Sequence, residues 1–186
     1  MRANKAFSRV LALVLCGVLC LSLSLPALAA ADGDEVIYLR TAEDLRALSD
    51  NCALDSWSRG RRVVLTADVS LHGVDFAPIA TFSGTFDGGG HTIRGLQITD
   101  ELSPAGLFLT VERGAVISGL TVEGQVAPGG TKEFVGGIAG RNYGTIENCS
   151  FFGVVAGSAS VGGIAGQNYG TIKNSISAAH SVSADM

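Results

Sequence analysis

Tyr143 and Tyr169 stand 26 residues apart, each preceded by an asparagine (Asn142, Asn168) and each followed by Gly-Thr-Ile. Two aromatic rings at one repeat position form a strip on which the apolar face of a sugar can stack. The alternative is that the rings stack on each other and shield a turn. Asn142 and Asn168 belong to the same candidate ligand-binding set. They also have a structural reading, because asparagine tolerates left-handed backbone and its amide can bond the neighbouring repeat. A second pair, Asp87 and His91, flanks Gly88-Gly89-Gly90, and an acid and an imidazole on one tight turn raise acid–base chemistry. The plainer expectation is that Asp87 bonds the turn and His91 faces solvent.

Other chemistry has little to rest on. None of His72, His91 and His180 is followed by Glu, so there is no His-Glu-x-x-His zinc helix. Ile93 stands where a dinucleotide fingerprint beginning at Gly88 needs its third glycine. Neither Gly-x-Ser-x-Gly nor a P-loop occurs. Asp68, Asp87, Asp100, Glu112, Glu123 and Glu147 fall at different repeat positions, so no carboxylate cluster for metal or glycosidic chemistry is expected. No cofactor, metal or catalytic residue is assigned. Trp57 and the run Arg59-Gly-Arg-Arg62 are expected in a solvated loop.

The elements that carry these residues are repeats. Val135-Gly-Gly-Ile-Ala-Gly-Arg-Asn-Tyr-Gly-Thr-Ile-Glu-Asn148 recurs as Val161-Gly-Gly-Ile-Ala-Gly-Gln-Asn-Tyr-Gly-Thr-Ile-Lys-Asn174. Such a period marks a solenoid, in which each unit buries its apolar face only by stacking on the next. The copies are assigned to residues 135–160 and 161–186 of a β-helix over 63–186. Leu65, Ile93, Ile117, Ile146 and Ile172 open comparable segments. Asp68, Leu96, Leu120, Cys149 and Ser175 follow three residues on, and Ile98, Val122, Phe151 and Ser177 stand five on from the four isoleucines. That pattern breaks strict alternation once, so each strand bends, as in a parallel β-helix. Arg94, Ser118, Glu147 and Lys173 then form an outward ladder, with Glu147 and Lys173 as oppositely charged neighbours. Ahead of it, residues 30–62 hold a strand at Val36–Leu39 and a short helix opened by Thr41, with Leu45 and Leu48 on one face. This helix is expected to cap the open end of the stack.

Residues 1–29 read as a secretory signal: Arg2, Lys5 and Arg9, an apolar run over 10–25, then Ala27-Leu28-Ala29. The alternative is an N-terminal membrane anchor. Beyond it, ten basic residues face 17 acidic ones, a net charge of −7, which disfavours nucleic acid or an anionic membrane as partner. Cys52 and Cys149 are expected about three coils apart, roughly 14 Å at about 4.8 Å per coil, beyond the roughly 7 Å a disulfide spans. Two free thiols are predicted.

The repeated Val-Gly-Gly-Ile-Ala-Gly-x-Asn-Tyr-Gly-Thr-Ile-x-Asn resembles the GLUG motif of bacterial exported and surface proteins. The stretch from Phe82 to Leu96, with Ala105-Gly-Leu-Phe108 after it, resembles the segment that precedes GLUG repeats. Related stretches occur in the non-catalytic region of IgA1-specific metalloproteases and in large adhesins. The resemblance implies a secreted or surface β-helical stalk or adhesive module and supplies no catalytic residues; the metalloprotease zinc motif is absent here. The expected fold is all-β: a right-handed parallel β-helix of about five coils with a short N-terminal capping helix, the hand following the parallel-crossover rule and the resemblance. The expected function is a non-enzymatic secreted or cell-surface binding and adhesion module contacting glycans or host and surface proteins. The alternatives are a polysaccharide-degrading β-helix enzyme and a truncated spacer of a larger surface protein. The sequence stops at Met186, just after the second copy, so a truncated product, or self-association or a partner chain at the last coil, is expected; that coil is also expected to fray, because Ser175 and Ser177 stand where the first copy has Cys149 and Phe151.

Overall fold

Alternating residues such as Thr145-Ile146-Glu147, with the isoleucine inside and its neighbours outside, make strands too short to be stable alone. Each therefore pairs with the same strand one coil away. In the computed structural model, residues 35–54, 56–130 and 132–184 are described, and the leader expected over 1–29 lies outside them. Among these described residues seventeen strands and one helix follow one another. β1 (Val36–Leu39), β2 (Arg62–Leu65), β5 (Thr85–Asp87), β8 (Val116–Ser118), β12 (Thr145–Glu147) and β16 (Thr171–Lys173) make a six-stranded sheet in that order. A second sheet runs β3 (Val69–Ser70), β6 (Thr92–Ile98), β9 (Thr121–Val126), β13 (Ser150–Gly157) and β17 (Ile176–Ala184). A third holds β4 (Ile79–Phe82), β7 (Phe108–Val111), β11 (Ala139–Asn142) and β15 (Ala165–Asn168), and β10 (Glu133–Gly136) pairs with β14 (Ala159–Gly162). All these pairings are parallel. The chain thus passes through the three larger sheets in the same sequence on each turn, giving a parallel β-helix of about five coils.

The helix α1 (Ala42–Asn51) is set by its first residues. The Thr41 hydroxyl accepts from the Asp44 N–H at 3.1 Å, and Asp44 Oδ2 accepts from the N–H groups of Thr41 (3.0 Å) and Arg40 (2.9 Å), a reciprocal cap. Leu45 and Leu48 join the core of the coils. The buried Ser49 hydroxyl fastens the helix to the entry of β4 through the carbonyls of Ala77 (2.7 Å) and Pro78 (3.0 Å). That core takes several side chains from the longer strands, such as Ile93, Leu96 and Ile98 of β6, and contains a ring cluster of Phe82, Phe86 and Phe108 with centroids 5.4–6.2 Å apart.

The observed register corrects the expected one in its first half. The inward column of the six-stranded sheet is Ile37, Val63, Phe86, Ile117, Ile146, Ile172. Leu65 pairs with Leu39, and Ile93 lies in the neighbouring sheet opposite Val69 and Val122. Arg94 accordingly faces Glu123, not Ser118, and Ile98 faces Val126. The physical reason is unequal coil length: Val63 to Phe86 spans 23 residues and Phe86 to Ile117 spans 31, so spacing between isoleucines mixes two faces. Over the two copies the register is as expected, and Glu147 meets Lys173 at 2.6 Å. The bend in each strand is a change of sheet. It turns at Gly119, Asn148 and Asn174 (φ 62, 52 and 50), so the left-handed asparagines are these two and not Asn142 or Asn168.

Candidate functional site

The two tyrosines sit at a corner between sheets. Asn142 ends β11 and Asn168 ends β15, in register. Asn142 is fully buried, and Asn168 is exposed. Asn142 Oδ1 accepts from the Gly144 N–H at 3.1 Å and Asn168 Oδ1 from the Gly170 N–H at 3.3 Å, so each side chain closes the turn over its own tyrosine. The Asn142 amide also donates to Asn168 Oδ1 at 2.7 Å, joining the two turns. Gly144 is required there, because a β-carbon would lie 2.5 Å from the Ala115 carbonyl oxygen and 2.6 Å from that of Glu112. With the asparagines turned inward, Tyr143 and Tyr169 point outward and stack, centroids 5.1 Å apart and planes 11° from parallel. Tyr143 is half-buried and Tyr169 is 62% exposed. Of the four residues predicted as ligand contacts, the two rings are therefore displayed together, while Asn142 lies behind them.

The same corner continues along the stack. Phe82, Val111, Asn142 and Asn168 are in register, so the residues that follow them, Ser83, Glu112, Tyr143 and Tyr169, form one ladder. Its backbone bonds run Glu112 N–H to Phe82, Tyr143 N–H to Val111 and Tyr169 N–H to Asn142, each at 2.8 Å. Two residues separate the flanking strands at Ser83-Gly84 and Tyr143-Gly144, whereas four, Glu112 to Ala115, do so in the coil between. The longer loop turns at Gly114 (φ 83), with Arg113 and Gly114 exposed and Ala115 buried. Between it and the Ser58–Arg61 loop lies a saddle floored by Ser83. One side is an open depression of about 550 Å³ lined by Arg59, Thr81, Ser83, Glu112 and Arg113, and the other carries Arg61 and Arg62. Arg61 pairs with Glu35 at 2.8 Å and lies 4.8 Å over the Trp57 ring, and Arg62 pairs with Asp87 at 2.7 Å. Trp57 is thus packed against the core and half-buried rather than solvated. Arg59 and Arg113 are exposed and have no ion-pair partner among the described residues. The saddle was not foreseen in the sequence; an Arg-Gly pair in each loop was its only trace.

Asp87 binds its turn as expected, accepting from the Gly89 N–H at 3.0 Å, and the Arg62 guanidinium beside it holds its carboxyl below the usual range. The carboxylate nearest His91 is Asp68, at 3.4 Å from Nδ1. Asp68 also accepts from the Thr92 N–H (3.0 Å), which lowers its pKa most, and meets Arg94 at 3.0 Å. Arg94 reaches Glu123 at 3.6 Å. Acid and base alternate from coil to coil here, and each of these carboxylates has a cation beside it. Among the described residues no group of three His, Cys, Asp or Glu side chains is placed to hold a metal ion.

Comparison with known proteins agrees with this architecture. The chain is 32% identical over 137 residues to halomucin from Haloquadratum walsbyi, an alignment covering 63% of this chain and 2% of that protein. It superposes with a TM-score of 0.66 and 23% identity on the crystal structure of a candidate immunoglobulin A1 protease from Bacteroides ovatus, over 79% of this chain and 48% of that one. The chain therefore spans a small part of the first and about half of the second. Residues 135–156, the first of the two copies and the one that carries Asn142 and Tyr143, match the GLUG motif, so this is a β-helix bearing a GLUG motif.

Proposed function

We propose that the chain is a non-enzymatic module working outside the cell, and that the Tyr143–Tyr169 stack is its platform for a glycan. The observation that carries this reading is the exposed aromatic pair, held on a corner whose backbone is fixed by a buried amide and by coil-to-coil hydrogen bonds. Aromatic faces offered on a rigid frame bind sugar rings at little ordering cost. Similarity to halomucin and to the fold of a candidate immunoglobulin A1 protease, with the leader-like residues 1–29, supports a secreted or surface setting. No helix among the described residues is long and apolar enough to cross a membrane. The pairing of Asp68, Asp87, Glu123 and Glu147 with cations along the outer ladders supports a structural role for these acids rather than glycosidic catalysis.

The test is isothermal titration of the full chain with a panel of neutral and acidic oligosaccharides, repeated on Tyr143→Ala/Tyr169→Ala. Loss of the two rings is expected to weaken binding by about 5- to 150-fold, at about 0.5–1.5 kcal/mol per ring. Undiminished binding by the folded double variant removes the site, and release of shortened saccharide would point to an enzyme instead.

A further inference from the structure

The saddle beside the tyrosines has a charge unlike that of the rest of the molecule. Beyond position 29 the chain carries −7, yet Arg59, Arg61, Arg62 and Arg113, four of its ten basic residues, surround this one feature. Arg61 and Arg62 are engaged by Glu35 and Asp87. Arg59 and Arg113 line the depression, and neither is ion-paired with a carboxylate among the described residues.

We propose that this depression binds the anionic group of an acidic oligosaccharide whose sugar rings lie on Tyr143 and Tyr169. The proposal rests on the glycan reading above and names the ligand class. Guanidinium groups match a carboxylate or a sulfate ester with directed, charge-assisted hydrogen bonds. The remaining lining is of the opposite character: Glu112 accepts hydrogen bonds, and the Thr81 and Ser83 hydroxyls both donate and accept. A carboxylate in the same lining as the two arginines suits a ligand that carries hydroxyl donors beside one negative charge. It opposes a run of phosphates, as in a nucleic acid. The volume, about 550 Å³, lies inside the usual range of small-ligand clefts, about 300–1,000 Å³.

Placement links the two parts. Ser83 and Glu112, in the depression, and Tyr143 and Tyr169 occupy successive coils of one ladder. At about 4.8 Å per coil the tyrosines lie roughly 10–14 Å along the axis from Ser83. A ligand that touches both is an oligosaccharide laid parallel to the stack, with its acidic group toward α1. The Glu112–Ala115 loop contributes Glu112 and Arg113 to the lining, and among the described residues this corner has four residues only in the coil that precedes the tyrosine coils.

Calorimetric titration of the full chain with trigalacturonate, sulfated cellotriose and cellotriose tests the proposal. An acidic trisaccharide is expected to bind at least tenfold more tightly than cellotriose, with an affinity that falls as salt rises. Tighter trigalacturonate identifies a carboxylate as the group read, and tighter sulfated cellotriose a sulfate. Arg59→Ala/Arg113→Ala, with Arg59→Gln/Arg113→Gln as the milder pair, is expected to abolish that preference while cellotriose binding stays as in the parent. Equal affinity for charged and neutral sugars, or a preference that survives both arginine pairs, overturns the proposal. If Tyr143→Ala/Tyr169→Ala still weakens cellotriose in that case, the platform stands without the anion site. Binding of none of the three overturns both.

Discussion

The side-chain amide of Asn142 donates to Oδ1 of Asn168 across 2.7 Å, and both asparagines stand in a column that begins with Phe82 and Val111. An apolar interior row thus becomes an amide ladder where the outward row becomes tyrosine. A buried amide is costly unless its donors and acceptors are filled. Here Oδ1 of Asn142 takes the Gly144 N–H, and Nδ2 gives to Asn168 and, at 3.4 Å, to the Thr171 carbonyl. The display of two rings is therefore coupled to the satisfaction of one interior amide.

Asn142→Ala is expected to destabilise the fold by about 1–3 kcal/mol, because it leaves the buried Gly144 N–H without its acceptor and removes the bond to Asn168. The Tyr143–Tyr169 stack should loosen with it. Thermal unfolding gives the first quantity and near-ultraviolet circular dichroism of the tyrosines reports the second. A variant with unchanged midpoint and unchanged tyrosine signal would show that the ladder does not hold the corner.

The contrast between the two halves of the stack explains what could be read from the sequence. Asn142 and Asn168, Tyr143 and Tyr169, and Glu147 and Lys173 are found in register because the two copies are of equal length and nearly equal sequence. The Thr41 cap with Leu45 and Leu48 follows from local chemistry alone. Earlier coils differ in length, so spacing between isoleucines puts Ile93 on the wrong face and misses Phe86, the true neighbour of Ile117. Asp68 and His91 are 23 residues apart, and nothing local announces that pairing of coils brings them together. The saddle depends on one loop being two residues longer than its neighbours, a comparison that exists only once the register is known. Arg59 and Arg113 could not be singled out before that.

Cys52, just after α1, and Cys149, in the fourth coil, are both free and buried. Burial pushes the Cys52 thiol up to about 11 and raises that of Cys149 as well, so little thiolate is available to react. Iodoacetamide at mildly alkaline pH is expected to leave both unmodified in the folded chain and to label both after denaturation, as read by peptide mass spectrometry. Since the folded state keeps the Cys52 proton after the unfolded chain has lost it, stability should also fall as pH rises from about 9 toward about 11. Rapid labelling of the native chain, or a Cys52–Cys149 disulfide peptide in a non-reduced digest, would contradict this arrangement.

Acid should weaken the fold through three aspartates that its own bonds hold ionised. The Arg40 N–H, with that of Thr41, lowers Asp44 in the helix cap; the Thr92 N–H, then Arg94 and His91, lower Asp68; the Arg62 guanidinium, then the Gly89 N–H, lower Asp87. Each folded-state pKa lies below the ordinary aspartate value of 3.8, so between the two values the unfolded chain takes up protons that the folded chain refuses. The resulting stabilisation is complete above about pH 4 and is lost as pH falls through that value toward the folded pKa values. Asp44→Asn/Asp87→Asn is therefore expected to lower the unfolding midpoint at neutral pH and to flatten its decline in acid, with Asp68 left to supply the remaining slope. Scanning calorimetry of parent and variant across the acid range checks both effects. Parallel midpoint curves for the two proteins would mean that neither the cap nor the Arg62 pair discriminates between the ionised and the protonated carboxyl.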